Sequence, residues 1–295
     1  MSEPSPARRL RRLMAEAPLV APGTHDAITA RAIEAAGFAA VFVSGSGLSL
    51  VRGKPDIGWM TESEVAAAVG EIADCVGVPV IADADTGYGN VFAVRRTVRD
   101  FERAGAAGLE LEDQVTPKRC AYFSGLELVS KQEMVGKVKA ALDARHDPDF
   151  VIIARTDALS VSGLPEALER GAAYLEAGAD LFYANALHDP ISIQEVLRQL
   201  PNQRLAFNFN HASGPAVKDD IYEPGRLGYR LTIVPGAVRE AVLFTVRQML
   251  SDLRQLGTYS GWRERMVPFQ EFNDFMGLGQ FEALERRFSP APSET

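Results

Sequence analysis

Short apolar runs recur along the chain and alternate with longer stretches whose apolar positions fall three and four residues apart. The runs are Leu19–Ala21, Ala40–Ser44, Pro79–Asp83, Gly108–Glu112, Phe150–Arg155, Ala179–Asn185, Arg204–Asn210 and Arg230–Pro235. Their length and β-branched content predict strands. The stretches between them, such as Glu62 to Val69 and Val91 to Phe101, carry the helical period. Thr61 and Ser130 stand where helix N-caps belong. Eight strand–helix units without a long linker predict an α/β fold, a (β/α)8 TIM-type barrel, whose usual length of about 250 residues fits within the 295 present. A doubly wound dinucleotide-binding sheet is excluded at the first turn, because Pro22-Gly23-Thr24-His25-Asp26 lacks the G-x-G-x-x-G fingerprint.

The pattern extends beyond the barrel at both ends. Ala7 to Met14 predicts a basic amphipathic helix that packs Leu10, Leu13 and Met14. After the last strand, a helix over Ala237–Leu256 is followed by a helical stretch over Phe269–Phe288. Phe269, Phe272, Phe275, Met276 and Leu284 make that stretch more apolar than a closed barrel requires. Burial against another subunit is the first expectation and packing across the barrel bottom the second. Residues 1–288 thus read as one barrel domain with these additions, and the Ser/Pro-rich 289–295 as a disordered tail.

Composition narrows the function classes. No apolar run approaches the roughly 18 residues of a membrane helix. The net charge of −8 provides no basic excess to offset phosphates or anionic lipids, so nucleic-acid and membrane partners are not expected. A small acidic substrate remains compatible, since it needs only local positive charge. Cys75 and Cys120 lack a disulfide-framework spacing, which predicts a reducing, cytoplasmic setting. Cys75 falls on the helix before the third strand and is expected in the core.

In (β/α)8 barrels the chemistry sits at the C-terminal ends of the strands. Here those ends are polar in succession: Ser44-Gly45-Ser46-Gly47, then Asp83 to Asn90, Glu112-Asp113, Arg155-Thr156-Asp157, Asn185, and finally Asn208, Asn210 and His211. Caps and turns also use Ser, Asp and Asn. They do not account for an arginine at the fifth end or carboxylates at two neighbouring ends, whereas a shared polar pocket does. Clustered carboxylates offer oxygen ligands to a hard divalent cation. Beyond them, Cys120 follows Lys118 and Arg119, whose positive charge predicts a lowered thiol pKa and a role in proton transfer. A structural buried cysteine is the alternative reading.

Four segments, Asp83-Ala84-Asp85-Thr86-Gly87-Tyr88-Gly89-Asn90, Leu111-Glu112-Asp113-Gln114, Pro117-Lys118-Arg119-Cys120 and Ile153-Ala154-Arg155-Thr156-Asp157-Ala158, resemble signatures of the isocitrate lyase/phosphoenolpyruvate mutase superfamily. Within it the chain is most similar to the 2-methylisocitrate lyase and carboxyphosphonoenolpyruvate mutase-like branch. The resemblance covers nearly the whole chain. It implies a barrel with a C-terminal helix swapped between subunits, a homotetramer built as a dimer of dimers, and Mg2+ or Mn2+. It assigns Asp83, Asp85 and Glu112 to the metal, with Asp85 foremost. Ser44, Gly45 and Ser46 would bind the carboxylate of a keto or hydroxy acid, and Arg155 a substrate oxygen. Cys120 would be the lyase thiol, with Lys118 beside it, on a lid running from about Gln114 to Ser130. Asp56, Tyr88, Asn185, Asn208 and His211 complete the expected substrate contacts.

Three departures from the branch pattern concern the far end of the substrate. The lyase motif continues Gly-His after its cysteine, where this chain has Ala121-Tyr122. Strand 6 usually ends in Glu, here Asn185. Strand 7 usually offers Asn followed three residues later by Glu, here Asn208 and His211. The resemblance therefore implies a Mg2+-dependent carbon–carbon lyase that cleaves a 2-hydroxy acid to an α-keto acid such as pyruvate and a second acid. The alternatives are a phosphonate-handling mutase or hydrolase, an oxaloacetate decarboxylase, and, more distantly, a non-catalytic barrel that binds a keto acid.

Overall fold

A computed structural model describes residues 4–210 and 220–289. The chain falls into two compact units, Met1–Glu240 and Ala241–Thr295. In the first unit, the strands are β1 (Leu19–Thr24), β2 (Val41–Val43), β3 (Val80–Asp83), β4 (Gly108–Glu112), β5 (Val151–Thr156), β6 (Leu181–Ala184), β7 (Ala206–Asn208) and β8 (Leu231–Val234). All paired strands are parallel, in the order β6-β5-β4-β3-β2-β1-β8-β7. A parallel bridge between Phe182 and Leu205 brings β6 to the start of β7, nearly closing the ring. This is the (β/α)8 architecture that the alternating pattern predicts.

Around the ring, in chain order, run α1 (Pro6–Glu16), α2 (Ala27–Ala35), α3 (Gly45–Val51), α4 (Glu62–Cys75), α5 (Val91–Arg103), α6 (Lys131–Ala144), α7 (Ala158–Ser162), α8 (Leu164–Glu176), α9 (Pro190–Gln199), α10 (Glu223–Leu227) and α11, which begins at Ala237. Thr61 closes a capping box with Glu64 at the start of α4, and the Ser130 side chain accepts the Glu133 N–H at the start of α6.

The two faces of each strand bury different cores. Leu19, Phe42, Ile81, Val151, Ile153, Leu181 and Ile233 point inward and fill the barrel, with Leu10 and Met14 of α1 packed into the same cluster. Val80, Ala82, Leu109, Leu111, Ile152 and Phe182 point outward into the layer shared with the helices. Each fully buried aliphatic or aromatic side chain contributes about 1.5–3 kcal/mol. α1 is tied down by Arg11, whose Nη2 lies 2.8 Å from Asp180 Oδ1.

Two local differences have physical reasons. β1 runs three residues past its expected end, through Pro22-Gly23. A Cβ at Gly23 would lie 2.5 Å from the Pro235 carbonyl oxygen, so the missing side chain lets this segment lie against the end of β8. Cys75 is half-buried at the last turn of α4, its Sγ donating to the Ile72 carbonyl at 3.1 Å, and is not a core residue.

The second unit carries α11 through to Leu256, α12 (Phe269–Phe275) and α13 (Leu278–Phe288). The stretch expected as one helix is broken at Gly277, whose φ of +84° is a left-handed conformation that glycine adopts without penalty. Phe244, Phe269, Phe281 and Phe288 are exposed. Among the described residues, no helix is long and apolar enough to cross a membrane. The expected tail, apart from Ser289, lies outside the described residues.

Candidate active site

Period-two alternation decides which side chains reach the barrel mouth. On β5, Val151 and Ile153 face the axis, so Arg155 does too. The same count leads from Phe42 to Ser44, from Ile81 to Asp83, from Glu110 to Glu112 and from Tyr183 to Asn185. Ser44, Ser46, Asp83, Glu110, Arg155, Tyr183, Asn185, Asn208 and Asn210 line one pocket of about 150 Å³ with Asp56, Lys118 and Cys120.

One side of this region is acidic. Asp83, Asp85 and Glu112 are buried. Asp83 Oδ1 accepts the Asp85 N–H at 3.0 Å, and its Oδ2 accepts the Gly45 N–H at 3.1 Å. Asp85 holds a left-handed backbone, φ +46°, which costs a non-glycine residue about 1–2 kcal/mol. Strain of this kind concentrates at functional sites. Burial pushes the Asp85 carboxyl up to about 6, with the Lys118 ammonium pulling the other way. Burial also raises Glu112, against the pull of Arg155 and Lys118. Lys118 Nζ lies 2.7 Å from Asp56 Oδ1 and 2.9 Å from Asp85 Oδ1. Burial opposes its charge, but the carboxylates of Asp85, Glu112 and Asp56 outweigh burial and hold it as an ammonium.

These residues fit a hard divalent cation. Both Glu112 oxygens and Asp85 Oδ1 are buried without a hydrogen-bond partner among the described residues, with Arg155 beside Glu112 and Lys118 beside Asp85 as charge contacts. A Cβ at Gly45 would lie 3.0 Å from Asp85 Oδ1 and 3.1 Å from Asp83 Oδ2, so the glycine keeps space open beside these carboxylates. Among the described residues, no three His, Cys, Asp or Glu side chains converge to hold an ion by themselves. A hard divalent cation that keeps several of its waters needs only one or two of these carboxylates.

Arg155 stands against this acidic side. Its Nη1 lies 3.1 Å from Glu110 Oε1 and 3.0 Å from Glu112 Oε2, and its Nη2 lies 3.1 Å from Asp157 Oδ1. Asp157 Oδ1 also accepts Asn185 Nδ2 at 2.8 Å, and Asn185 Oδ1 accepts Asn208 Nδ2 at 3.0 Å. Burial pushes Glu110 up to about 7. Burial opposes the Arg155 charge, and the carboxylates around it, Asp157 first, hold it charged.

The segment from Gln114 to Ser130 folds over the pocket. Its neck is pinned by a bridge between Gln114 and Leu128, and the Val129 N–H donates to the Asp113 carbonyl at 2.9 Å. Its tip docks through the Cys120 N–H, 2.9 Å from the Asp56 carbonyl. Cys120 reaches the pocket, but its thiol is not activated as the flanking charges predict. Burial pushes its pKa up and Asp56 adds to the rise, against the Tyr122 backbone N–H first and then Lys118 and Arg155. The reason is geometric. The Lys118 ammonium is engaged by Asp56 and Asp85, and the Arg119 guanidinium turns to the Ser124 carbonyl at 3.2 Å. Burial therefore favours the thiol over the thiolate.

The expected residues divide as follows. Cys120, Lys118, Arg155, Ser44, Ser46, Asp56, Asp83, Asn185 and Asn208 meet at the pocket. Gly45 and Glu112 do not line it, and Asp85 lines a neighbouring cavity. Ser44 also caps α3, its Oγ accepting the Gly47 N–H at 3.2 Å. Tyr88 lines a neighbouring cavity that shares only Lys118 with the pocket. His211 lies outside the described residues. Glu110, Tyr183 and Arg239 also line the pocket and were not expected. Period-two counting back from Glu112 and Asn185 finds the first two. Arg239 follows β8 on the first turn of α11 and carries no such signal.

A sequence profile of the phosphoenolpyruvate phosphomutase family matches residues 10–253. The chain is 43% identical over 285 residues to 2,3-dimethylmalate lyase of Eubacterium barkeri, covering 96% of this chain and 98% of that one. It is 40% identical to a probable 2-methylisocitrate lyase of Corynebacterium glutamicum, over 83% of this chain and 80% of the relative. Among solved structures, a 2,3-dimethylmalate lyase superposes with a TM-score of 0.90 at 31% identity, covering 99% and 98% of the two chains. An oxaloacetate acetylhydrolase in complex with 3,3-difluorooxalacetate also gives 0.90 at 31% identity, covering 97% and 98%. A phosphonopyruvate hydrolase in complex with oxalate and Mg2+ gives 0.85 at 30%, covering 97% and 99%.

Proposed function

The chain belongs to the phosphoenolpyruvate phosphomutase family, and we propose that it is a Mg2+- or Mn2+-dependent carbon–carbon lyase acting on a 2-hydroxy carboxylic acid. Its substrate class is that of 2,3-dimethylmalate and 2-methylisocitrate, and its products are an α-keto acid such as pyruvate and a second carboxylic acid. The observation that carries this reading is one pocket lined by the Cys120 thiol, the buried Arg155 and Asp83, with the unpartnered carboxylate oxygens of Asp85 and Glu112 held close by through Lys118 and Arg155.

Asp85 would hold the cation, with Asp83 and Glu112 holding it directly or through water, and the ion when bound supplies Lewis-acid stabilisation to an oxygen that gains negative charge. Ser44 and Ser46 orient the keto-acid carboxylate. Glu110, which lines the pocket and whose Oε2 has no hydrogen-bond partner, receives the substrate hydroxyl proton. As the C–C bond breaks, its electron pair passes to the departing acid as an enolate. Arg155 faces that developing charge, and the Cys120 thiol delivers the proton that quenches it. The closed segment over the pocket excludes water while the enolate exists. Asn185 and Asn208 form the wall that the departing acid meets. His211, outside the described residues, is expected from the family resemblance to contact substrate.

Oxaloacetate or phosphonopyruvate turnover is the second reading, favoured by the resemblance in fold to hydrolases of those substrates. The test offers purified protein and Mg2+ a panel of 2,3-dimethylmalate, 2-methylisocitrate, oxaloacetate and phosphonopyruvate, with keto-acid release coupled to a dehydrogenase. Pyruvate formed together with a second acid supports the lyase. Turnover of oxaloacetate or phosphonopyruvate alone replaces it. The exposed phenylalanines of the second unit support self-association, and the family resemblance implies a homotetramer, a dimer of dimers, which light scattering would size. The two free cysteines and the acidic net charge support a cytoplasmic setting with no nucleic-acid or membrane partner.

A further inference from the structure

Gln114 is buried at the neck of the segment that carries Lys118 and Cys120. Its carboxamide closes two hydrogen bonds on the backbone of one residue of the tip: Oε1 accepts the Arg119 N–H at 2.9 Å, and Nε2 donates to the Arg119 carbonyl at 2.9 Å. The same Nε2 donates its second hydrogen to Asp157 Oδ2 at 2.8 Å. Both donors of the amide are thus used and its oxygen is engaged. The other Asp157 oxygen holds Arg155 and Asn185, at 3.1 and 2.8 Å. Arg119 lies between the two residues that enter the pocket, so the clamped backbone sets the direction of both.

We propose that Gln114 is a positioning residue: by bridging the Arg119 backbone to Asp157, it holds Lys118 and Cys120 in register with Arg155 and Asn185. The proposal rests on the reading of Cys120 as the proton donor. Only a carboxamide satisfies all three partners. A carboxylate has no hydrogen for Asp157 or the Arg119 carbonyl, and an apolar side chain leaves all three buried groups unpaired, so either change favours the open segment.

The test is made in a Cys75→Ser background, which leaves Cys120 as the single thiol. Gln114→Met removes the three bonds at similar volume, and Gln114→Glu keeps the shape while removing the donors. The rate of Cys120 alkylation by iodoacetamide reports opening of the segment and needs no substrate. A failure of the lyase reading therefore shows in the substrate panel and not in this arm. The expected result is alkylation faster by roughly tenfold or more, the change that loss of one or two buried hydrogen bonds gives an opening equilibrium. kcat falls by a similar factor, while oxalate affinity in Mg2+ stays within about twofold. A merely structural role would lower the thermal transition and leave the relative values of kcat and oxalate affinity alone. Unchanged alkylation overturns the clamp, and faster alkylation with unchanged kcat overturns the positioning role. If Gln114→Glu loses its cooperative transition, Gln114→Met alone decides.

Discussion

Replacing Lys118 by Met removes the ammonium that sits between Asp56 and Asp85 and leaves both carboxylates buried without it. The lysine side chain is only 4% exposed, with Nζ 2.7 and 2.9 Å from its partners. Deleting one partner of such a buried pair costs about 3–5 kcal/mol. Unfolding entropy of about 2.1 cal/mol/K per residue converts this, for 295 residues, to roughly 1.6 °C per kcal/mol. Metal-free Lys118→Met should therefore unfold about 5–8 °C below metal-free wild type. Part of that loss is relieved when Asp85, already pushed up to about 6 by burial, takes a proton as the ammonium that pulls it down disappears. A divalent cation offers the same carboxylates twice the charge, so it stabilises the variant more than the wild type, in which the ammonium already engages Asp85 Oδ1. Scanning calorimetry of both proteins, in EDTA and in excess Mg2+, measures the two metal-induced shifts. The variant's shift should be larger by several degrees. Equal shifts would refute the reasoning, because Lys118 and the metal would then not share a carboxylate.

Cys120→Ser should lower kcat by about 10²–10⁴, the usual span for a general acid, while oxalate binding in Mg2+ stays within a few fold. Isothermal titration separates the two, and wild-type turnover would remove Cys120 from the proton path. Because burial raises the thiol, the alkaline limb of the wild-type rate profile should lie above the ordinary thiol value of about 8.5. Gly58 has φ +69°, and a Cβ there would lie 2.9 Å from Pro117 Cβ and 3.2 Å from the Lys118 backbone N and O. Gly58→Ala should cost the closed segment about 1–2 kcal/mol and lower kcat/KM by roughly tenfold. Wild-type kcat/KM would show that the segment closes without this contact. Asp85 and Glu110, raised to about 6 and about 7, hold protons more tightly folded than unfolded. The stability they contribute is complete below about pH 4 and is lost as pH rises through those values. The metal-free Tm should therefore fall between about pH 5 and pH 8, a slope that bound Mg2+ flattens because it favours the ionised carboxylates. A slope unchanged by Mg2+ would place the ion elsewhere.

The fold was legible because each strand writes its two faces into the sequence. On β5 the alternation of Val151, Ile153 and Arg155 against Ile152 and Ala154 separates barrel interior from helix layer before any coordinate is known. What stayed hidden were ends and breaks. Gly23 reads as a turn residue, and only the approach of Pro235 shows why a glycine is needed inside β1. Gly277 interrupts an apolar stretch without a proline or a polar cluster to mark the break.

The site was legible as a set of residues and illegible as a set of charges. Lys118, Arg119 and Cys120 are neighbours in the chain, and that adjacency predicts a lowered thiol pKa. In space the ammonium belongs to Asp56, sixty-two positions upstream, and to Asp85 on the turn after β3, while the guanidinium serves a carbonyl of its own loop. Through-space partners set the protonation state, and they come from other strand ends. The same holds for Gln114 and Asp157, forty-three residues apart and joined by one hydrogen bond. The outcome keeps Cys120 as the proton donor and changes the ground for it. A thiolate has no proton to give the departing enolate, whereas a buried thiol carries one, and a lyase that releases an enolate needs the donor.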